Sequence, residues 1–268
     1  MKLKVLVDNN TFIDQYYCGE PAVSYYIEDE GRSFLFDVGY SDLFLRNAEA
    51  LNVNLENIIS IVISHGHDDH TRGLKYYFEQ KNNRSISIMA HPDAFKEKII
   101  DNLKIGSYFS EEELKKRCNL LLSKEPVKVS NNITFLGEIP QINHFENRKP
   151  IGKKIIGESV INDYIEDDSA LVYKNKRGIY IITGCSHSGI CNIIEYAKRV
   201  SEDNRVLGVI GGFHLFEVNE RVHKTIDYLK KMNIKDIYPC HCTSFNVRAE
   251  MYKTLPVKEV GVGLQIEW

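Results

Sequence analysis

Short apolar runs closed by polar turns alternate along the chain with stretches of helical period. The opening segment, Met1-Lys2-Leu3-Lys4-Val5-Leu6-Val7-Asp8, predicts a first strand that stops in the turn chemistry of Asp8-Asn9-Asn10-Thr11. Residues 22–28 and 32–38 are two β-rich runs around Asp29-Glu30-Gly31 and predict a hairpin. Asp37, closing the second run, is either a turn-former or a support for a nearby site. Ser41-Asp42 suits the N-cap of a helix to about Leu51, with Leu43, Phe44, Ala48 and Leu51 at near-helical spacing. Residues 58–63 predict a fully buried strand, and residues 71–78 begin a helix with His70 at its entry.

Residues 85–90 predict another strand, followed by His91-Pro92-Asp93, where proline fits a helix start. Residues 101–123 have helical, charge-rich composition, with Glu111-Glu112-Glu113 and Lys115-Lys116-Arg117 on a solvated face. A hairpin is expected over 127–136, turning at Asn131-Asn132. Residues 141–166 are the least regular segment and read as a loop that covers a site. The remaining pattern predicts a hairpin of 169–173 with 178–183, a helix over 190–201 and a strand over 206–210. A helix over 219–232, a short strand at 236–238 and a last strand over 257–266 follow. No repeat or low-complexity linker interrupts the pattern, so a single domain over 1–268 is expected.

Composition narrows the function classes. The chain has 268 residues, 43% hydrophobic, enough for a substantial core. A net charge of -3 supplies no footprint for nucleic acid or an anionic membrane, and no apolar run has the length of a membrane span. Six cysteines scattered without an export signal argue against a disulfide framework and predict a cytoplasmic protein with reduced thiols.

The chemistry gathers where strands end. Ser64-His65-Gly66-His67-Asp68-Asp69-His70 follows the strand at 58–63 and carries imidazole and carboxylate groups, the ligand types that zinc and similar divalent ions accept. Three later strands end in the same manner, at Cys185/His187, at His214 and at His241. One strand ending in histidine says little; four together point to a metal site assembled from distant sequence.

The pattern His65-x-His67-x-Asp69-His70, preceded by Phe34-Leu35-Phe36-Asp37-Val38-Gly39, resembles the metallo-β-lactamase superfamily. Asp167-Asp168-Ser169-Ala170-Leu171-Val172, Thr183-Gly184-Cys185-Ser186-His187-Ser188-Gly189, Gly211-Gly212-Phe213-His214-Leu215 and Pro239-Cys240-His241-Cys242-Thr243 resemble its subfamily of dihydropterin-condensing synthases of methanopterin biosynthesis. The resemblance implies an α+β fold, a four-layer αβ/βα sandwich with the site on one edge. It implies that His65 and His67 hold one ion and Asp69 with His70 a second. Cys185 falls where relatives carry a bridging aspartate, its bland alternative being a buried structural cysteine. His241 fits the final ligand. The histidine expected between the first cluster and the bridging residue is missing from its usual motif, and His187 is the candidate substitute. His91 is read as a helix-entry or pocket residue, His144 as solvent-exposed and His223 as ordinary surface.

The expectation is thus a zinc-type, dinuclear metallo-hydrolase, with one or two ions and with iron or manganese as alternatives. Its small-molecule substrate is an ester or phosphate type. Asp69 is the expected proton acceptor, and His214 the expected proton donor, with metal ligation or substrate contact as its alternatives. Arg72, His91 and Asp168 are candidate substrate contacts, with Arg72 either favouring an anion or equally pointing to solvent and pairing with a nearby acid such as Asp68. Asp167-Asp168 is equally a strand-entry turn. The competing readings are pterin-condensing synthase chemistry, a di-iron redox protein, against which His67 counts, and a metal-binding sensor without catalysis.

Overall fold

The computed structural model describes residues 1–80 and 85–268. It has the mixed α/β character expected, with its strands in three sheets and its chain in two compact units. The first unit comprises Met1–Lys124, Lys149–Asp167 and Gly261–Trp268; the second comprises Glu125–Arg148 and Asp168–Val260.

The first unit is built on a seven-stranded sheet. Lys2–Val7, Ser24–Asp29 and Arg32–Phe36 pair antiparallel, as alternating β-branched and aromatic residues around a tight Asp29-Glu30-Gly31 turn favour. Ile58–Val62, Ser87–Ala90 and Asn119–Leu122 then add in parallel, and Gln265–Glu267 closes the other edge against Lys2–Val7. Helices Leu43–Ala50 and Gly73–Gln80 contribute Phe44, Ala48, Leu74 and Tyr77 to a core with Leu35, Ile61, Ile63 and Ile88. Each of the larger side chains contributes roughly 1.5–3 kcal/mol by leaving water.

Several expectations fail in this unit, each because long-range pairing overrides local pattern. Pro92 does not start a helix. The chain turns at 92–95 and runs into the strand Glu97–Ile100. Residues 101–123 hold a single short helix, Glu111–Lys115, closed by a capping box between Ser110 and Glu113, and strands flank it on both sides. The irregular segment 141–166 contains a hairpin, Lys153–Ile156 with Ser159–Asn162, which pairs with Glu97–Ile100 in a separate four-stranded sheet. Lys98 and Lys154 lie opposite each other in that sheet. Lys98 donates to Asp163 (2.6 Å) and Asp167 (2.8 Å), while Lys154 donates to Asp93 and Glu166 (both 2.8 Å). Both lysines are buried because each has two carboxylates to replace its water.

The second unit holds a six-stranded sheet. Gly178–Thr183, Val206–Gly212 and Asp236–Cys240 are parallel neighbours, and Ala170–Asn175, Ile133–Phe135 and Val127–Lys128 extend the sheet antiparallel. Helices Ile190–Ser201 and Glu220–Met232 match the pattern predicted for them and bury Ile193, Ile194, Ala197, Val222 and Leu229. A further helix, Phe245–Tyr252, capped by Ser244, was not predicted, and the last strand is far shorter than 257–266. Residues 141–148 are pinned, since Asn192 Oδ1 accepts from the amides of Ile142 and Asn143. Glu146 accepts from the amides of Cys191 and Asn192 at the first turn of Ile190–Ser201, where helix N–H groups lack partners of their own.

Candidate metal centre

In the first unit, the end of Ile58–Val62 delivers the histidines directly into a helix. His67 is the N-cap of Asp68–Thr71, so the cluster itself starts the helix, earlier than expected at residue 71. Its carbonyl accepts from the His70 and Thr71 amides and from the Thr71 hydroxyl. Glycine is required at position 66, because a Cβ there would lie 2.0 Å from the Ala94 carbonyl oxygen. The Gly66 amide donates to Asp167 Oδ2 at 2.7 Å. With the turn fixed, His65, His67 and Asp69 bring ligand atoms within 4.8 Å of one another. His65 Nε2 faces His67 Nδ1 at 3.0 Å, and Asp69 Oδ2 is 3.4 Å from His70 Nε2.

The two neighbouring histidines are pushed in opposite directions. Burial pushes His67 down to about 4, with Asp69 opposing and the Lys98 charge assisting, so its imidazole is neutral. Burial acts against the charged form of His70 as well, but Asp69 and Asp37 prevail and hold it well above its ordinary value. Asp37 resolves as a support. Its Oδ2 is 2.7 Å from His70 Nδ1, and its two oxygens also take the Ser64 amide and hydroxyl, each at 2.7 Å. A carboxylate on Nδ1 orients a histidine whose Nε2 serves a metal.

In the second unit Cys185 is the hub. Its sulfur lies within 4.8 Å of ligand atoms of His187, His214, His241 and Cys242. The Gly212 amide donates to the Gly184 carbonyl (2.8 Å), and the Ser186 hydroxyl donates to the Gly212 carbonyl (2.6 Å), tying two strand ends together. The His187 and His214 rings are 4.2 Å apart between centroids. Ser186, His214 and His241 all have left-handed backbone, with φ of 59°, 48° and 50°, and Asp37 in the first unit has φ of 58°. Such conformations cost of order 1–3 kcal/mol each and persist where surrounding structure enforces them. His214 Nδ1 is buried with no hydrogen-bond partner. Imidazoles and thiols at these separations fit a zinc-like divalent ion.

The other candidates fall elsewhere. His91 is buried, and its Nδ1 accepts from the Asp93 amide at 3.1 Å, a turn contact in place of helix entry. Arg72 stacks on Tyr40, 4.5 Å from the ring, and donates to its hydroxyl. It also lines a cavity of about 410 Å³ with Asp68, Phe95, Tyr108 and Phe109. Asp168 accepts from the Ser188 amide (2.9 Å), and burial pushes its carboxyl up to about 6. His144 and His223 are exposed, as expected. Cys242, Lys98 and Asp163 were not singled out from sequence. A cysteine beside a ligand histidine was a usable signal for the first; a lysine in a β-run gave none.

Comparison with known proteins agrees with this geometry. Residues 19–200 match the family described as the metallo-beta-lactamase superfamily. An uncharacterised protein of Methanocaldococcus jannaschii is 36% identical over 260 residues, covering 93% of each chain. The 7,8-dihydropterin-6-methyl-4-(beta-D-ribofuranosyl)-aminobenzene-5'-phosphate synthase of the same organism is 33% identical, covering 91% of this chain and 88% of its own. The crystal structure of Tm1679, a metal-dependent hydrolase of the beta-lactamase superfamily, superposes with a TM-score of 0.85 at 26% identity, covering 100% of this chain and 99% of that one. No helix among the described residues is long and apolar enough to cross a membrane. The chain belongs to the metallo-β-lactamase superfamily.

Proposed function

We propose that this protein is a metal-dependent hydrolase acting on a small, anionic ester or phosphate-type substrate. The observation that carries the reading is the convergence of His65 Nε2 and His67 Nδ1 at 3.0 Å with Asp69 in the same cluster. His65, His67, Asp69 and His70 would hold metal from the first unit, and Cys185, His187 and His241 from the second. Zinc suits this donor set, in one or two ions, with iron or manganese as alternatives. When bound, such an ion supplies Lewis acidity toward a carbonyl or phosphoryl oxygen and acidifies water.

The chain's own groups do the rest. Asp69, partly exposed at 27%, accepts a proton from the attacking water. Asp37 keeps His70 in one ring orientation. His214, whose buried Nδ1 has no hydrogen-bond partner among the described residues, is placed to give a proton to the leaving group or to meet the ion. Arg72 lines the cavity of about 410 Å³ beside Asp68, a volume within the range of small-molecule sites. Its fork-shaped guanidinium suits a phosphate or carboxylate.

The similarity to the pterin-related synthase favours a second reading, condensation with release of diphosphate. Fold kinship leaves reaction type open between the two. Metal-loaded protein assayed on phosphate esters, lactones and a pterin diphosphate with an aromatic amine separates them. Hydrolysis without condensation is expected. Full metal content and full hydrolysis in both His67→Ala and Asp69→Ala would sink the hydrolase reading.

A further inference from the structure

We infer that Cys242 is a second thiolate ligand beside Cys185, making the metal centre selective for a soft divalent ion such as zinc or ferrous iron. The inference rests on the metal-enzyme reading and extends its ligand set within the second unit.

The placement of Cys242 is built. It follows His241, whose left-handed backbone (φ 50°) turns the chain sharply after the strand Asp236–Cys240. Its sulfur, the Cys185 sulfur and a ring nitrogen of His214 lie within 4.8 Å of one another. The Cys242 thiol donates to the Cys185 carbonyl oxygen at 3.5 Å, which draws it to the hub of the cluster. Position 212 is glycine in keeping with this. A Cβ there would lie 2.4 Å from the Cys242 sulfur, so the neighbouring strand end has no side chain where the sulfur must sit. The Thr243 hydroxyl accepts from the Phe213 amide at 2.9 Å and locks the following residue to the same strand end.

A second observation points to a ligand at this place. His214 Nδ1 is buried without a hydrogen-bond partner, an arrangement that costs free energy unless something outside the chain meets it. Two thiols and an unsatisfied imidazole nitrogen in one small volume are poor packing for a dry core and good chemistry for a soft cation. Each thiol loses its proton to solvent as the ion binds, so the two sulfurs deliver two negative charges against one divalent ion. Sulfur donors discriminate against manganese and magnesium, which prefer oxygen. The pair thereby sets metal choice at this cluster of the second unit.

Cobalt(II) titration of the full-length protein tests this. The wild type is expected to show an intense near-ultraviolet thiolate-to-cobalt absorption. Cys242→Ser should lose about half of that absorption and bind cobalt at least roughly tenfold more weakly. Cys18→Ser, at an exposed position outside the cluster's donor set, should match wild type. Serine keeps the hydrogen bond to Cys185, so a merely structural Cys242 would leave absorption and affinity unchanged, and that result overturns the inference. Should Cys242→Ser fold poorly, alkylation of the wild type answers the same question. Zinc should protect Cys242, and equal labelling with and without zinc overturns the proposal. Cobalt binding with no thiolate absorption in the wild type removes this inference and leaves the metal-enzyme reading standing. Absence of any bound metal removes both.

Discussion

Lys98 Nζ sits 2.8 Å from Asp167 Oδ1, and neither side chain is exposed to solvent. The other oxygen of Asp167 holds the Gly66 amide, between His65 and His67. A lysine some thirty residues away in sequence, about the span of one supersecondary unit, therefore stands behind the histidine turn. Removing it by Lys98→Met leaves Asp163 and Asp167 buried without a counter-charge. Stability should fall by roughly 3–5 kcal/mol, read from the urea midpoint, and metal affinity should fall with it. Pairing the change with Asp163→Asn should recover part of the stability. A Lys98→Met protein as stable as its parent contradicts this account.

Alkaline pH should loosen the same region. Burial works against the charged forms of Lys98 and Lys154, but their carboxylate partners prevail and raise both above the ordinary lysine value. A raised folded-state value means the stabilisation is complete below the unfolded lysine value, near about 10.4, and is lost as pH rises through the folded ones. The urea midpoint should therefore hold up to about pH 10 and drop as the pH rises beyond it. A midpoint that holds or climbs beyond that pH counts against the buried lysines.

Asp37→Asn keeps an acceptor near His70 but removes the charge that orients it, and the Asn amide has to compete for the Ser64 contacts. Metal affinity should weaken by roughly tenfold to hundredfold with little change in fold, as far-ultraviolet circular dichroism would report. An unchanged affinity would return Asp37 to the status of a turn residue.

Gly66→Ala places a methyl group where the Ala94 carbonyl already stands. The turn has to shift, at a cost of about 1–3 kcal/mol, and carries His65 and His67 with it. Isothermal titration with zinc should show a weaker site. Retained affinity with retained stability would mean the loop moves freely.

Thiol chemistry should be strongly position-dependent. Burial pushes the Cys118 thiol up to about 11 and that of Cys191 well above its ordinary value, whereas Cys18 is exposed. Iodoacetamide at about pH 8 reacts through thiolate, so Cys18 should label ahead of Cys118 and Cys191. Peptide mass mapping checks the order.

The cluster of His65, His67 and His70 was legible in the sequence because three imidazoles directly behind a buried β-run stand out from any core pattern. Short apolar and β-rich runs likewise marked Lys2–Val7, the Ser24–Phe36 hairpin and Gly178–Thr183, where local pattern and final pairing agree. Residues 92–123 and 141–166 were misread because Glu97–Ile100 and Lys153–Ile156 pair across some fifty residues, a separation whose closure cost leaves no local trace. Lys98 and Lys154 read as surface lysines because their burial depends on carboxylates supplied by that distant pairing. Cys242 stood in a motif already noticed, but its nearness to Cys185 arises from two parallel strands ending level.

Asp37, Ser186, His214 and His241 share left-handed backbone, and this restricts how the centre can change over evolutionary time. Asparagine, aspartate, histidine and glycine tolerate that conformation, while valine, isoleucine and threonine pay heavily for it. Accessible variation at these four positions is thus a small alphabet that is itself rich in metal-binding and hydrogen-bonding groups. Drift there tends to exchange one polar function for another, so new chemistries can arise at these strand ends without first passing through a chemically inert intermediate.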